Sequence, residues 1–469
     1  MSKRLFIHTI GCQMNVYDTE KMAAVLWPLG YHLSDSAADA DMVVVNTCAI
    51  REKAEQKVFS YLGRLAEHKR LRPDMIVAVG GCVAQQEGAR ILKRVPAVDL
   101  VFGTHAIGRL PELVERVLKG ARLVDTHQGE RIEELWPAPD APVGHGISRF
   151  ITIMHGCDNY CTYCVVPYVR GRESSRTPDA ILAEIHSVVD MGAREVTLLG
   201  QNVNSYGIKE GMASFAQLLE MASAVPDLLR IRFTTSHPKD LSDELVSAFA
   251  RVSKLCAHIH LPVQSGADRI LHRMNRRYTR EHYLEKIALL RESDPKIAIS
   301  TDIIVGFPGE TDTDFADTLS LISEASFDGL FAFQYSDRPS APASRFGTKV
   351  PAAVKKERLQ AVLNLQEAQT LGKNQALEGT IQEILVEGRS RAIVGSEKTV
   401  DTGAASLWTG RTGTNRIVHF DAGDHGATLR PGVLVSVCIE NGFSHSLRGR
   451  LVRPEKTVVT KKGVEQHAA

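Results

Sequence analysis

Three cysteines within eight residues, Cys157, Cys161 and Cys164, carry the tightest chemical spacing in the chain. They read Cys157-Asp-Asn-Tyr-Cys161-Thr-Tyr-Cys164, a Cys-x3-Cys-x2-Cys loop. Three close thiolates hold three corners of a four-iron, four-sulfur (4Fe-4S) cube, whose full ligation takes four cysteines. The missing fourth ligand leaves one iron open to a substrate. The rival reading is a structural zinc site completed by His155. It gives no reason for the loop to stand at the mouth of a strand–helix repeat.

A second trio is scattered. Gly11-Cys12 follows the strand-like run Arg4–Ile10, Thr47-Cys48 follows Asp41–Asn46, and Gly80-Gly81-Cys82 follows Met75–Val79. Helical patterns over Asp18–Leu29 and Arg51–Lys69 lie between them. Alternating strands and helices imply a parallel sheet. Ligands in such sheets gather in the crevice at the carboxyl ends of the strands. Cys12, Cys48 and Cys82 each fall just past such an end, so they are expected to converge. Isolated cysteines after strands are commonly buried and inert; the regular placement of these three argues against that. Cys256 and Cys438, in apolar strand-like runs, read as core.

The elements that must position these residues form a series. Six strands are expected at Phe150–Met154, Glu195–Leu199, Ile231–Thr235, His258–Leu261, Ile297–Val305 and Leu330–Tyr335. Helices are expected between them, at Pro178–Met191, Phe215–Ala224, Leu241–Val252, Arg280–Glu292 and Asp312–Ala325. Six βα units suggest a partial barrel with its active site in the loops after the strands. A helix over Val350–Gln375 follows. Then come short β runs at Thr380–Val386, Ala392–Val394, Ile417–Phe420 and Val433–Ile439, separated by turn glycines. They suggest a small β-barrel. The fold class is α/β. Residues 1–124 are expected as an N-terminal parallel-sheet domain and 125–146, with Pro137, Pro139 and Pro142, as a linker. The central partial (βα)6 barrel spans 147–376, the small antiparallel β-barrel 377–454, and a disordered tail 455–469.

A net charge of +1 announces no global attraction to nucleic acid. From Gly388 to Arg453, however, nine Arg and Lys face five Asp and Glu. The N-terminal apolar run is shorter than a signal-peptide core, and no stretch reaches the roughly 20 residues of a membrane span. A cytoplasmic protein with no membrane partner is expected, where cysteine patterns mean metal or catalysis more often than disulfides.

The Cys157–Cys164 loop resembles that of the radical S-adenosylmethionine superfamily. Gly156–Arg176 (GCDNYCTYCVVPYVRGRESSR) resembles the catalytic loop of its methylthiotransferase family. The N-terminal segments Gly11–Glu20 (GCQMNVYDTE), Asn46–Phe59 (NTCAIREKAEQKVF) and Gly80–Cys82 resemble the same family's first domain. Gly410–Phe420 (GRTGTNRIVHF) and Ser446–Leu451 (SLRGRL) resemble a TRAM domain, a small RNA-binding barrel. The resemblance covers about residues 4–453. It implies two 4Fe-4S clusters, one on Cys157, Cys161 and Cys164, the other on Cys12, Cys48 and Cys82. One S-adenosylmethionine would be the methyl donor and a second the radical source. Gln13-Met14-Asn15 after the first cysteine and Ala49-Ile50-Arg51 after the second most resemble the branch that methylthiolates C2 of N6-isopentenyladenosine at position 37 of tRNA. The alternatives are another methylthiotransferase substrate, threonylcarbamoyl-adenosine in tRNA or a ribosomal protein, and a non-catalytic RNA-binding protein with structural metal sites. Implied partners are tRNA, a reduced flavodoxin or ferredoxin and a sulfur source; nothing demands more than a monomer.

Within this frame the six cysteines are the catalytic and metal-ligating candidates. Tyr163 matches the superfamily's aromatic near the adenine. Gln201, Asn202, Gln264, Asp302 and Gly306, at or past the barrel strands, are the cofactor-binding candidates; Gly306 is equally a turn residue. Ser236 and Ser265 follow strands in the same way, and His237, before Pro238, reads as a turn residue rather than a base. Arg170 and Arg172 are expected at tRNA phosphate or at the adenosylmethionine carboxylate, against a solvated basic face; Arg176 reads likewise. Arg389, Arg391, Arg411, Arg416, Arg448 and Arg450 make the better case for phosphate contacts. Trp408 is a candidate base-stacking residue, and Phe420 reads as barrel core. Ser340-Ala341 stands where the family shows Gly-Thr.

Overall fold

A computed structural model describes residues 2–49, 52–129, 146–390, 407–423, 426 and 428–453. Ile50, Arg51, most of the expected linker with its three prolines, Arg391, the run 392–394 and the tail lie outside the described residues. The chain divides into two compact units, 1–366 and 367–469. Among the described residues no helix is long and apolar enough to cross a membrane.

The N-terminal sheet has six strands: β1 (Lys3–Thr9), β2 (Tyr31–Leu33), β3 (Met42–Thr47), β4 (Ile76–Gly81), β5 (Leu100–Phe102) and β6 (Leu123–Asp125). They are parallel throughout, in the order β2-β1-β3-β4-β5-β6. Every residue of β3 and β4 is buried, as befits parallel strands covered on both faces. Side chains alternate across the sheet. Met42, Val44, Ile76 and Ala78 pack with Met22 and Leu26 of the helix Gln13–Leu26. Val43, Val45, Val77 and Val79 pack with Val58, Leu62 and Leu65 of the helix Glu52–Leu71. Burying one such side chain contributes about 1.5–3 kcal/mol, more than helix propensity decides. The three-residue strands β2, β5 and β6 are too short for a sequence pattern, and the first helix begins at Gln13, ahead of the expected Asp18.

The central strands are β7 (Ser148–Thr152), the short pair β8 (Met154–His155) and β9 (Ser174–Ser175), β10 (Glu195–Leu199), β11 (Arg230–Thr234), β12 (His258–His260), β13 (Ala298–Val305) and β14 (Gly329–Gln334). β7, β10 and β11 form one parallel sheet, and β12, β13 and β14 another. The bridge between Ile231 and Leu255 joins the ends of these sheets. The six parallel strands β7, β10, β11, β12, β13 and β14 overlap the six expected, though β12 keeps only three residues, and their core runs from Ile151 and Val196 through Ile231 and Ile259 to Ile299 and Ile303. Five barrel helices begin on a Ser or Thr whose hydroxyl accepts a backbone N–H: Thr177, Ser214, Ser242, Thr279 and Thr311. Such caps contribute about 0.5–2 kcal/mol each, and they set where each strand-to-helix loop ends.

In the second unit β15 (Ile381–Arg389), β16 (Leu407–Thr412), β17 (Ile417–Asp421), β18 (Leu434–Gly442) and β19 (Leu447–Arg453) close a barrel in the order β15-β16-β17-β19-β18. Its core holds Ile384, Val386, Val418, Phe420, Val435 and Leu447, together with Trp408. Trp408 is 5% exposed and its ring stacks under the Arg389 guanidinium at 4.4 Å. This corrects the base-stacking expectation for Trp408: alternation along β16 turns it inward.

Candidate active site

The scattered cysteines meet because β1, β3 and β4 are sheet neighbours. Cys12 caps the helix Gln13–Leu26, Cys48 follows β3, and Cys82 opens the helix Cys82–Glu87. A buried network sews the three loops together. Asn15 donates to Asn46 Oδ1 at 2.8 Å and to the Thr47 carbonyl at 3.0 Å. Thr47 donates to the Gly80 carbonyl at 2.6 Å and accepts from the Val83 N–H at 3.2 Å. At Gly11 a Cβ would stand 2.7 Å from the Cys48 Cβ, so no larger residue fits. A hydrogen bond with the Cys48 thiol lowers the Cys12 pKa to about 6, helped by the Arg170 charge and opposed by burial. Burial raises that of Cys82, and Arg170 pulls it the other way.

The second trio needs no sheet to gather it. The Cys157–Cys164 loop leaves β8 and is braced from the segment after the helix Asp268–Arg273. Thr162 N–H donates to the Met274 carbonyl at 3.0 Å, and Asn275 donates to the carbonyls of Asn159 and Tyr160. Arg276, 4% exposed, donates to Cys161 Sγ at 3.5 Å, to the Tyr163 hydroxyl at 3.3 Å and to the Tyr278 hydroxyl at 2.8 Å. Burial pushes the Cys157 thiol up to about 11 and Cys164 up to about 12. His155 is not among the residues that line the cavity described next.

Five of the six cysteines, Cys12, Cys82, Cys157, Cys161 and Cys164, line one cavity of about 290 Å³; Cys48 does not, though its neighbour Ala49 does. Of the cofactor-binding candidates, Tyr163, Gln201, Gln264 and Asp302 line it. Asn202 and Gly306 do not. Asn202 is buried, donating to Asp240 Oδ2 at 2.7 Å and Ser205 Oγ at 2.9 Å. Gly306 serves the turn, with φ +70° and its N–H donating to Glu310 Oε1 at 2.9 Å. An adjoining cavity of about 630 Å³ shares Ala49, Tyr163, Cys164, Gln264 and Asp302 with the first and runs to Tyr335 and Arg338. Ala341 packs at the edge of the site with Ala49, Cys82, Val165 and Val169. His237, next to Cys161 at 4.0 Å, accepts from the Lys239 N–H, and burial holds it neutral.

The arginines divide. Arg170 is 3% exposed and pairs with buried Asp18 at 2.7 Å, and Arg176 pairs with Glu184 at 2.6 Å. This burial removes both from a solvated basic face and corrects the expectation that Arg170 contacts tRNA phosphate. Arg172 remains at the surface, paired with Asp158. In the second unit Arg448 and Arg450 lie on β19; Arg411 pairs with Glu387 at 2.9 Å and Arg416 donates to Asn374 Oδ1 at 3.0 Å. Sequence reading missed Arg276, Asn15 and Asn46 as parts of the site. The amides stood inside the quoted motifs, but no spacing rule says which polar residue bridges two loops.

Cluster and cofactor fit this donor set. Each trio supplies three soft thiols, and among the described residues no fourth joins them and no three His, Cys, Asp or Glu side chains are gathered around a single ion. A cube instead places each cysteine on a different iron. Among the described residues Gln201 Oε1 and Ser236 Oγ are buried at the cavity without hydrogen-bond partners, available to a polar ligand.

Residues 4–103 match the family model "Uncharacterized protein family UPF0004", and residues 151–322 match that of the radical SAM superfamily. The chain is 54% identical to a tRNA-2-methylthio-N(6)-dimethylallyladenosine synthase of Desulfosudis oleivorans, over 100% of both chains. It is 51% identical to the protein of that name from Geobacter metallireducens, over 96% of this chain and 98% of that one. Among solved structures, the radical S-adenosylmethionine methyltransferase TsrM from Kitasatospora setae, with cobalamin and a 4Fe-4S cluster bound, aligns with a TM-score of 0.55 at 15% identity. The alignment covers 73% of this chain and 77% of that one. The cobalamin-dependent S-adenosylmethionine radical enzyme OxsB aligns at 0.52 and 11%, covering 78% and 56%. At those identities the two structures share the fold.

Proposed function

The chain belongs to the family of tRNA-2-methylthio-N(6)-dimethylallyladenosine synthases, and from that premise we propose how its residues serve the family's reaction. It is a radical S-adenosylmethionine enzyme that places a methylthio group on C2 of N6-isopentenyladenosine, at position 37 of tRNA. The observation that carries the reading is one cavity lined by Cys157, Cys161 and Cys164 together with Cys12 and Cys82. Two 4Fe-4S clusters and S-adenosylmethionine supply what side chains lack, formation of a carbon radical and storage of the transferable sulfur, because an aromatic C–H is too inert for acid–base groups.

Cys157, Cys161 and Cys164 hold the cluster of the radical side, and Cys12, Cys48 and Cys82 hold the other. Arg276 fixes the Cys161 sulfur by hydrogen bonding. Gln201, Ser236, Gln264 and Asp302 offer polar contacts to S-adenosylmethionine, with Tyr163 beside its adenine. Val165, Val166, Val169 and Leu199 form an apolar wall that keeps water from the reacting carbon. The adjoining cavity receives the modified adenosine. Arg411, Arg416, Arg448 and Arg450 contact tRNA phosphates, which makes binding fall with salt. A reduced flavodoxin or ferredoxin supplies the electron, a separate sulfur source refills the site, and the chain acts as a monomer in the cytoplasm.

The test is product analysis. The anaerobically reconstituted chain is given S-adenosylmethionine, dithionite, sulfide and tRNA carrying isopentenyladenosine, and the digested nucleosides are weighed by mass spectrometry. The methylthio derivative of that nucleoside is expected. Conversion of threonylcarbamoyl-adenosine instead would overturn the substrate assignment.

A further inference from the structure

Each trio has one buried arginine beside it, and the two differ in what their donors meet. The Arg276 guanidinium is shared among Cys161 Sγ, the hydroxyls of Tyr163 and Tyr278 and the Pro262 carbonyl. Arg170 uses Nη2 on Asp18 at 2.7 Å, and its Nη1 is buried among the described residues with no hydrogen bond of good geometry, the Cys82 thiol being the weak acceptor beside the guanidinium. The residue lines the cavity between the trios and lies beside the Cys82 thiol. It is held there from three directions. Thr104 donates to the Val169 carbonyl at 2.8 Å, His105 Nε2 lies 3.0 Å from the Arg170 carbonyl, and Asp18 rides on the helix that Cys12 caps.

A buried, charged donor left without a good acceptor is costly, so such a group at a site is an unfilled contact. An anion suits that donor, and the Cys82 and Cys12 sulfurs beside the guanidinium point to the Cys12/Cys48/Cys82 side. We propose that Arg170 is a positioning residue for the anionic sulfur of that side, donating from Nη1 to a sulfide while Nη2 stays on Asp18. The sulfide is either a core atom of the cluster or one added at its open iron. The inference rests on the proposed ligation by Cys12, Cys48 and Cys82.

The experiment uses the full chain with Cys157, Cys161 and Cys164 changed to Ala, so that one cluster remains. Iron content, the cluster's reduction potential and the half-saturating concentration of added sodium sulfide are measured with Arg170 and with Arg170→Lys. Lysine keeps the charge and the Asp18 pair but has no fork to reach a second acceptor. Hydrogen bonds to cluster sulfurs help set the potential. Arg170→Lys should keep about four irons. It should lower the potential without sulfide if the acceptor is a core sulfide, or raise the half-saturating sulfide concentration roughly tenfold if the acceptor is the added atom. Either result supports the role. Unchanged potential and unchanged sulfide binding overturn it. Loss of iron in both Arg170→Lys and the neutral pair Arg170→Gln with Asp18→Asn also overturns it, because the residue would then only build the site. Absence of iron in the starting chain overturns the ligation reading itself, and the inference with it.

Discussion

The two cysteine trios share a cavity and are built on opposite principles. Cys157, Cys161 and Cys164 come from one short loop, and their mutual distance is set by chain connectivity. Cys12, Cys48 and Cys82 come from three loops brought together by the strand order β1-β3-β4. The first trio is braced by residues remote in sequence, Met274, Asn275 and Arg276. The second is sewn by its own flanking residues, Asn15, Asn46 and Thr47. Burial pushes Cys157 and Cys164 toward the thiol, and Cys82 too, whereas the Cys48 hydrogen bond and the Arg170 charge favour the Cys12 thiolate. A local loop tolerates a weak thiol environment because its geometry is given; an assembled site depends on polar contacts between the loops.

The comparison breaks first at the cysteines. Cys48→Ala should abolish methylthio product, a loss of a thousandfold or more, while 5′-deoxyadenosine still forms from S-adenosylmethionine. Cys161→Ala should abolish both. Chromatography of the two products decides, and loss of deoxyadenosine in Cys48→Ala would reverse the division of labour.

The next largest effect concerns the seam between the helices Gln13–Leu26 and Pro178–Asp190. Glu184 is bonded to Lys21 at 2.8 Å, Arg176 at 2.6 Å and Tyr17 at 3.2 Å. Glu184→Gln removes the carboxylate that Lys21 and Arg176 share and should destabilise the fold by about 3–5 kcal/mol, seen as a lower denaturant midpoint. A midpoint shift typical of a surface substitution would show the seam to be open to water.

Gly81 tests the assembled trio alone. Its φ is +91°, and a Cβ there would stand 2.7 Å from Asn46 Oδ1 and 2.9 Å from the Thr47 N–H. Gly81→Ala should cost about 1–3 kcal/mol and lower iron at the Cys12/Cys48/Cys82 site, with deoxyadenosine formation retained. Equal iron loss at both sites would mean that the two are not built independently.

The smallest effect is on pH. Burial raises Glu173, beside the Cys157 loop, from 4.5 to about 7. The folded chain then binds more protons than the unfolded chain between those values, so this group lowers stability as pH rises through that window and adds no slope above it. Glu173→Gln should flatten the dependence of the apo-protein's melting temperature between about pH 4.5 and pH 7. An unchanged slope would place the carboxylate in water.

Cys157, Cys161 and Cys164 and the six central parallel strands were legible in the sequence because each is a local pattern: a spacing, or an apolar run between helical stretches. The convergence of Cys12, Cys48 and Cys82 was legible one step removed, since strand ends in a parallel sheet face one way. Only the tertiary structure decided that Arg170 and Arg176 are buried, that Trp408 points inward, that Asn202 and Gly306 stand off the cavity, and that Arg276 reaches Cys161. Local chemistry fixes what a side chain is able to do. Which group it meets depends on chain far away in sequence, and charge or ring alone carries no record of that partner.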